Sequence, residues 1–283
     1  MKQFASGPKR HYYGKGDVIA FRLHRAGQRP GGRSPVFGAS VLILLYGDAF
    51  WPTYATGDNT DLVATDSMKN FVQRETLRFD GDDLEAYGRF LGERFLETYP
   101  QTEGVQVSAA EIPYERIGDR QAFAPGGPQR ATARVEIGRA GIIDVTSGIE
   151  GFQLMRLGGS AFEGFVRDEY TTLPDAKNRP LHMWLDVEWR YGDVRAAFTG
   201  GTLTVQVRQT VLDLFASVES RSIQQLIHRI GTSLLAAHDA IAEIRLEAQN
   251  RTWDTIAEQG EQLGVYTQPR PAYGCLGLTL TRA

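Results

Sequence analysis

Two kinds of hydrophobic spacing alternate along this chain, and they do so twice in the same order. Val18 to Phe21 and Phe37 to Leu45 are rich in β-branched and aromatic residues, with Gln28-Arg29-Pro30-Gly31-Gly32 between them as the loop of a long hairpin. A helix from about Asp83 to Tyr99 follows, carrying Leu84, Tyr87, Leu91 and Phe95 on one face. Strands are expected at Val105 to Ile117, Ala131 to Ile137 and Ile142 to Ile149, with Ala124-Pro125-Gly126-Gly127-Pro128 as a turn-rich connection. The second half repeats this plan. Leu181 to Trp189 reads as a strand, and helices follow at Leu203 to Ala216 (face Leu203, Val207, Val211, Leu214) and at Ser222 to His238 (face Ile223, Ile227, Ile230, Leu234). Strands at Ile241 to Ala248 and Leu276 to Thr281 close it. Each apolar stripe needs a sheet to cover, so the expectation is an α+β pseudo-repeat, antiparallel sheet with helices on one face.

With 283 residues, of which 42% are hydrophobic, the chain can bury a full core. Its 31 Lys and Arg against 34 Asp and Glu leave a net charge of -3, without the basic field that draws proteins to nucleic acid. The longest apolar run, Val41 to Tyr46, is too short to span a bilayer, and Met1-Lys2-Gln3 leads into no signal segment. Neither nucleic acid nor membrane is expected as a partner, and the expected compartment is the cytoplasm. The single cysteine, Cys275, fits a reducing compartment and is expected to be a buried structural thiol. His11, His24, His182, His228 and His238 are scattered without metal-ligand spacing, so no metal is expected.

Five segments carry more specific chemistry. Val63-Ala64-Thr65-Asp66-Ser67-Met68-Lys69-Asn70 reads as a short strand entering a helix start, where a hydroxyl and fresh backbone donors converge on a point that can hold an anionic ring. Thr, Asp and Ser are equally favoured as plain helix caps. Tyr13-Gly14-Lys15-Gly16-Asp17-Val18 places a lysine at a turn before a strand. Phe162 to Leu173 contains the core Asp168-Glu169-Tyr170-Thr171-Thr172-Leu173 and is followed by Asn178-Arg179-Pro180-Leu181. Ser222-Ile223-Gln224-Gln225 opens a helix, and Asn250-Arg251-Thr252-Trp253-Asp254-Thr255 follows the next strand.

In this order the five segments resemble the signatures of the urate oxidase (uricase) family, in its bacterial branch. The resemblance implies two tandem T-fold (tunnelling fold) repeats, 1–145 and 146–283, assembling into a barrel-like homotetramer with active sites at subunit interfaces. The final Thr281-Arg282-Ala283 is not a peroxisomal tripeptide, which suits a bacterial cytosolic enzyme. The implied activity is cofactor-free conversion of urate, oxygen and water to 5-hydroxyisourate and hydrogen peroxide. The implied catalytic residues are Lys15 as general base acting through Thr65, with Thr252 at the far end of the relay. The implied substrate-binding residues are Thr65, the Asp66 amide, the stacking Phe162, the clamping Arg179, the Ile223 amide, the edge-reading Gln224 and the oxygen-side Asn250.

One departure bears on mechanism. Many members carry a histidine two residues after the asparagine, where this chain has Thr252, which can pass a proton but cannot hold a charge near pH 7. Two rival readings are a catalytically silent purine-binding T-fold protein and a T-fold enzyme acting on a pterin or another purine. The absence of a Cys/His cluster in the sequence counts against a zinc cyclohydrolase.

Overall fold

The computed structural model describes residues 11–26, 29, 34–118, 121–260, 263–269 and 271–282. They fall into two compact units, residues 1–148 with 191–202 and residues 149–190 with 203–283. Of the expected hairpin loop, Arg29 is described, and Gln28, Pro30, Gly31 and Gly32 lie outside the described residues, as does Met1-Lys2-Gln3.

In the first unit, β1 (Tyr13–Leu23) pairs antiparallel with β2 (Val36–Tyr46), so the expected hairpin is present with a longer first strand. Its register shifts between Lys15 and Val18, and Asp17 in that bulge has a φ of 52°. A bulge bends the strand locally, and Lys15 stands at its edge. Gly14 sits so close to β2 that a Cβ there would collide with the Ile43 carbonyl oxygen. A short helix, α1 (Trp51–Thr56), was not anticipated, because six residues are too few to show a period.

Val63 is not in a strand. It is buried in extended coil, and its N–H donates to the Tyr13 hydroxyl at 2.9 Å instead of to a ladder. Burial pushes the Tyr13 phenol up to about 12. Helix α2 (Thr65–Thr76) follows, with Ala64 as its cap residue. Alanine has no side-chain acceptor, so the first-turn N–H groups are left open.

Helix α3 (Leu84–Thr98) starts where the Asp83 carboxylate accepts from the Ala86 N–H at 2.8 Å, and buries the expected Leu84, Tyr87, Leu91 and Phe95. It packs on β3 (Gly104–Glu111) and β6 (Arg130–Gly138). Burying each such side chain contributes about 1.5–3 kcal/mol, so this stripe is a principal anchor of helix to sheet. The expected single strand from Val105 to Ile117 is broken at Ile112-Pro113, where proline cannot donate to a ladder. Beyond it β4 (Tyr114–Ile117) turns aside to pair with β5 (Ala122–Pro125), so Ala124 and Pro125 belong to a strand rather than to a turn. Strands β1, β2, β3 and β6 are antiparallel neighbours in that order, followed by β7 (Gly141–Arg156). β7 outruns its expected end at Ile149, and its residues from Ile149 onward belong to the second unit.

The second unit orders its strands as β7, β8 (Leu181–Tyr191), β9 (Ile241–Asn250) and β12 (Gly274–Thr281). β8 alternates strictly: Leu181, Met183, Leu185, Val187 and Trp189 are buried, as a strand with one covered face requires. Helix α4 (Thr202–Ser217) buries Val207, Val211 and Phe215; the expected Leu203 and Leu214 lie at the margin of that stripe, half-buried. Helix α5 (Ile223–Ala237) buries all four expected residues, Ile223, Ile227, Ile230 and Leu234. A small hairpin of β10 (Thr255–Gln259) and β11 (Leu263–Tyr266) was not anticipated, nor was the 3-10 turn Val194–Phe198 of the first unit.

Cys275 is exposed, contrary to expectation. The two-residue period explains it: Leu276, Leu278 and Leu280 of β12 are the half-buried set, and Cys275 shares the outer set with Gly277 and Thr279. No helix among the described residues is long and apolar enough to cross a membrane.

Candidate functional site

A cavity of about 240 Å³ in the second unit is lined by Phe162, Arg179, Ile223, Gln224 and Asn250. These are the five residues of that unit expected to bind substrate. Leu173, Gly274, Cys275 and Leu276 complete the wall. Leu173 lies inside the long motif, but nothing in its spacing marks it as a wall residue. The β12 residues enter through register, because Gly274 sits opposite Asn250.

Phe162 is held by backbone on both sides: its N–H donates to Ala176 at 2.7 Å and its carbonyl accepts from Ala176 at 2.9 Å. Its ring stacks on Phe165 with centroids 4.9 Å apart, and the Arg179 guanidinium carbon lies 5.3 Å from its centroid. Burial lowers the Arg179 pKa from its ordinary value, and its Nε is buried with no hydrogen-bond partner among the described residues. A desolvated cation with open donors favours an anionic or carbonyl-rich ligand.

The two adjacent glutamines of α5 divide their work. Ser222 Oγ accepts from the Gln225 N–H at 3.1 Å, and Gln225 Oε1 accepts from the Arg221 N–H at 2.7 Å, a reciprocal arrangement of the capping-box kind. Gln225 is thereby committed to the helix start and Gln224 is the one that lines the cavity. The Ile223 N–H, in the first turn, has no acceptor within the helix.

Asn250 ends β9, and the next residue is firmly held. Arg251 donates its N–H to the His182 carbonyl at 3.0 Å, its side chain bonds Gln249, and its guanidinium lies between Trp184 at 4.0 Å and Tyr273 at 3.9 Å. His182 stacks on Trp253 at 5.6 Å, and burial, reinforced by the Arg251 cation, lowers the imidazole pKa. Thr252 is exposed and is not part of the cavity wall.

In the first unit, Lys15 and Thr65 are linked through a shared tie. Two residues before Lys15, the Tyr13 hydroxyl accepts from Val63, two residues before Thr65. Thr65 and Asp66 are exposed at the uncapped start of α2. The Asp66 carboxylate bonds Lys69 at 2.5 Å and Asn70 at 2.9 Å, and Lys69 first, with a smaller contribution from the Lys15 cation, holds it below the usual range. That leaves the Asp66 backbone, rather than its side chain, to meet a ligand. A larger groove of about 660 Å³ between α2 and α3 contains none of the expected residues, and Arg78 and Arg94 there already pair with Glu75.

Known proteins bear on this arrangement. The uricase family model matches residues 48–136 and 145–273. A uric acid degradation bifunctional protein of Bacillus subtilis is 35% identical over 95% of this chain, and a uricase of Haloferax volcanii is 36% identical over 87% of it and 89% of its own length. The chain spans about 60% of the length of the bifunctional Bacillus relatives it matches. Among solved structures, urate oxidase from Bacillus sp. TB-90 superposes with a TM-score of 0.87 at 34% identity, covering 96% of this chain and 100% of that one. A uricase from Bacillus fastidious gives 0.86 at 32% identity, covering 97% and 94%. An α+β antiparallel sheet covered by helices, matched along nearly its whole length to these relatives, means that the chain belongs to the uricase family.

Proposed function

We propose that this chain is a cofactor-free urate oxidase, converting urate, O2 and water to 5-hydroxyisourate and H2O2. The observation that carries the reading is the cavity itself, in which an aromatic face, a guanidinium whose Nε has no hydrogen-bond partner among the described residues, a glutamine and an asparagine surround one space. Arg179 offers a planar fork to a carbonyl and ring nitrogen, Gln224 gives and takes one edge hydrogen bond, and Phe162 stacks on the ring. The open N–H groups at the starts of α2 and α5 add donors, from Asp66 and Ile223, and their helix dipoles favour the urate anion.

Deprotonated urate is a good electron donor, so the protein's task is to remove a proton and fix geometry. Lys15 takes that proton through the Thr65 hydroxyl, and Asn250 holds oxygen and then water above the ring. Thr252 extends the relay through its hydroxyl. Residues 1–145 and 146–283 form two T-fold repeats, four chains close into a barrel, and Lys15, Thr65 and Asp66 of one chain face the cavity of its neighbour. The free thiol of Cys275 suits the reducing cytoplasm.

Protein treated with chelator and dialysed is expected to consume urate and release peroxide in equal amounts without any addition. Urate loss that appears after a metal or flavin is restored, and not before, would contradict the reading.

A further inference from the structure

Two of the cavity's walls come from distant segments, 159–179 and 218–224, and one side chain ties their roots together. Arg156, the last residue of β7, donates through Nη1 to the Phe215 carbonyl at 3.1 Å and the Val218 carbonyl at 2.5 Å. Through Nη2 it donates to the Gly159 carbonyl at 2.8 Å and to Ser220 Oγ at 2.6 Å. Backbone continues the link. The Ser220 N–H donates to Gly159 at 3.0 Å and the Ala161 N–H to Ser220 at 2.8 Å, closing a parallel bridge between Ser160 and Ser220. The Ser160 carbonyl in turn accepts from the Arg179 N–H at 2.8 Å. Both serines are buried.

From this junction the functional groups are a short step away on each side. Phe162 lies two residues beyond Ser160, and Ser222, the cap of α5, lies two residues beyond Ser220, directly before Ile223 and Gln224. Resting on the reading of the cavity as a urate site, we propose that Arg156 is a positioning residue: its guanidinium fixes the spacing between the Phe162–Arg179 wall and the Ile223–Gln224 wall, and so the width offered to a flat purine. The role depends on the planar fork, because one ammonium group cannot reach acceptors spread over three backbone carbonyls and a hydroxyl.

The test is urate binding by calorimetry without oxygen, together with hydrogen exchange at the Ala161 and Arg179 amides. Arg156→Lys is expected to weaken binding by about tenfold and raise KM by a similar factor. Ser220→Ala, which removes one of the acceptors and leaves the arginine in place, is expected to weaken it by about fivefold and covers the case in which the lysine variant does not fold. In both, exchange at Ala161 and Arg179 accelerates while the amide of Leu234, far from the junction in α5, keeps its wild-type rate. Folded variants that bind urate as wild type does, with unchanged exchange at those amides, would overturn the proposal, as would variants that merely lose folded protein at constant KM. If the wild-type protein binds no urate, the functional reading fails, and the exchange comparison alone decides the clamp: faster exchange supports it and unchanged exchange overturns it.

Discussion

Replacing Arg179 with alanine is expected to lower kcat/KM for urate by about three orders of magnitude, the largest loss among the proposed binding residues. Two observations set this size. The guanidinium is desolvated enough that its pKa falls, and its Nε has no protein partner among the described residues, so its donors are open to a ligand. Arg179 is half-buried in the free protein and would be covered by a bound purine, where removing a charge-assisted partner costs about 2–5 kcal/mol, and each ~1.4 kcal/mol is tenfold. Arg179→Lys keeps the charge but loses the fork, and about a hundredfold loss is expected from the second hydrogen bond and its geometry. Steady-state kinetics at fixed oxygen, with the loss divided between kcat and KM, gives the result. A lysine variant equal to wild type would mean that charge alone is read.

Lys15→Met is expected to behave differently: turnover falls by about 10²–10⁴, the range for a general base, while urate binding without oxygen is nearly retained. The structural basis is the bulge beside Lys15 and the Tyr13–Val63 bond that ties its strand to the start of α2. Because the proposed site draws Lys15 from one chain and Arg179 from its neighbour, the two inactive variants should complement. Dissociated and reassembled as an equal mixture, Lys15→Met and Arg179→Ala chains should recover about a quarter of wild-type activity, since half of the interfaces are mixed and each mixed pair holds one intact site. No recovery in mixed assemblies would place both residues in a single-chain site.

The parts of the fold that were legible in the sequence are those whose side chains repeat with a clear period. The α3 stripe and the α5 face Ile223, Ile227, Ile230 and Leu234 were read correctly because each buries one face against a sheet. The β4–β5 and β10–β11 hairpins were not, being four or five residues long and largely exposed, so no buried face constrains their pattern. Cys275 was misread because an apolar neighbourhood in sequence says nothing about which side of an edge strand a residue occupies. At the site, the resemblance to the uricase signatures pointed to Phe162, Arg179, Ile223, Gln224 and Asn250, which line one cavity. The commitment of Gln225 rather than Gln224 to the helix cap, and the entry of Gly274 and Leu276 opposite Asn250, needed coordinates, since both depend on register and hydrogen-bond partners.

In the proposed function urate occupies the second-unit cavity, read by Arg179 and Gln224 and stacked on Phe162. A crystal structure of the protein grown with urate under argon tests this most directly. The purine is expected in that cavity, its edge on the Arg179 fork and the Gln224 amide, with Lys15 and Thr65 of a neighbouring chain beside it. Urate bound elsewhere, with this cavity holding only solvent, would contradict it.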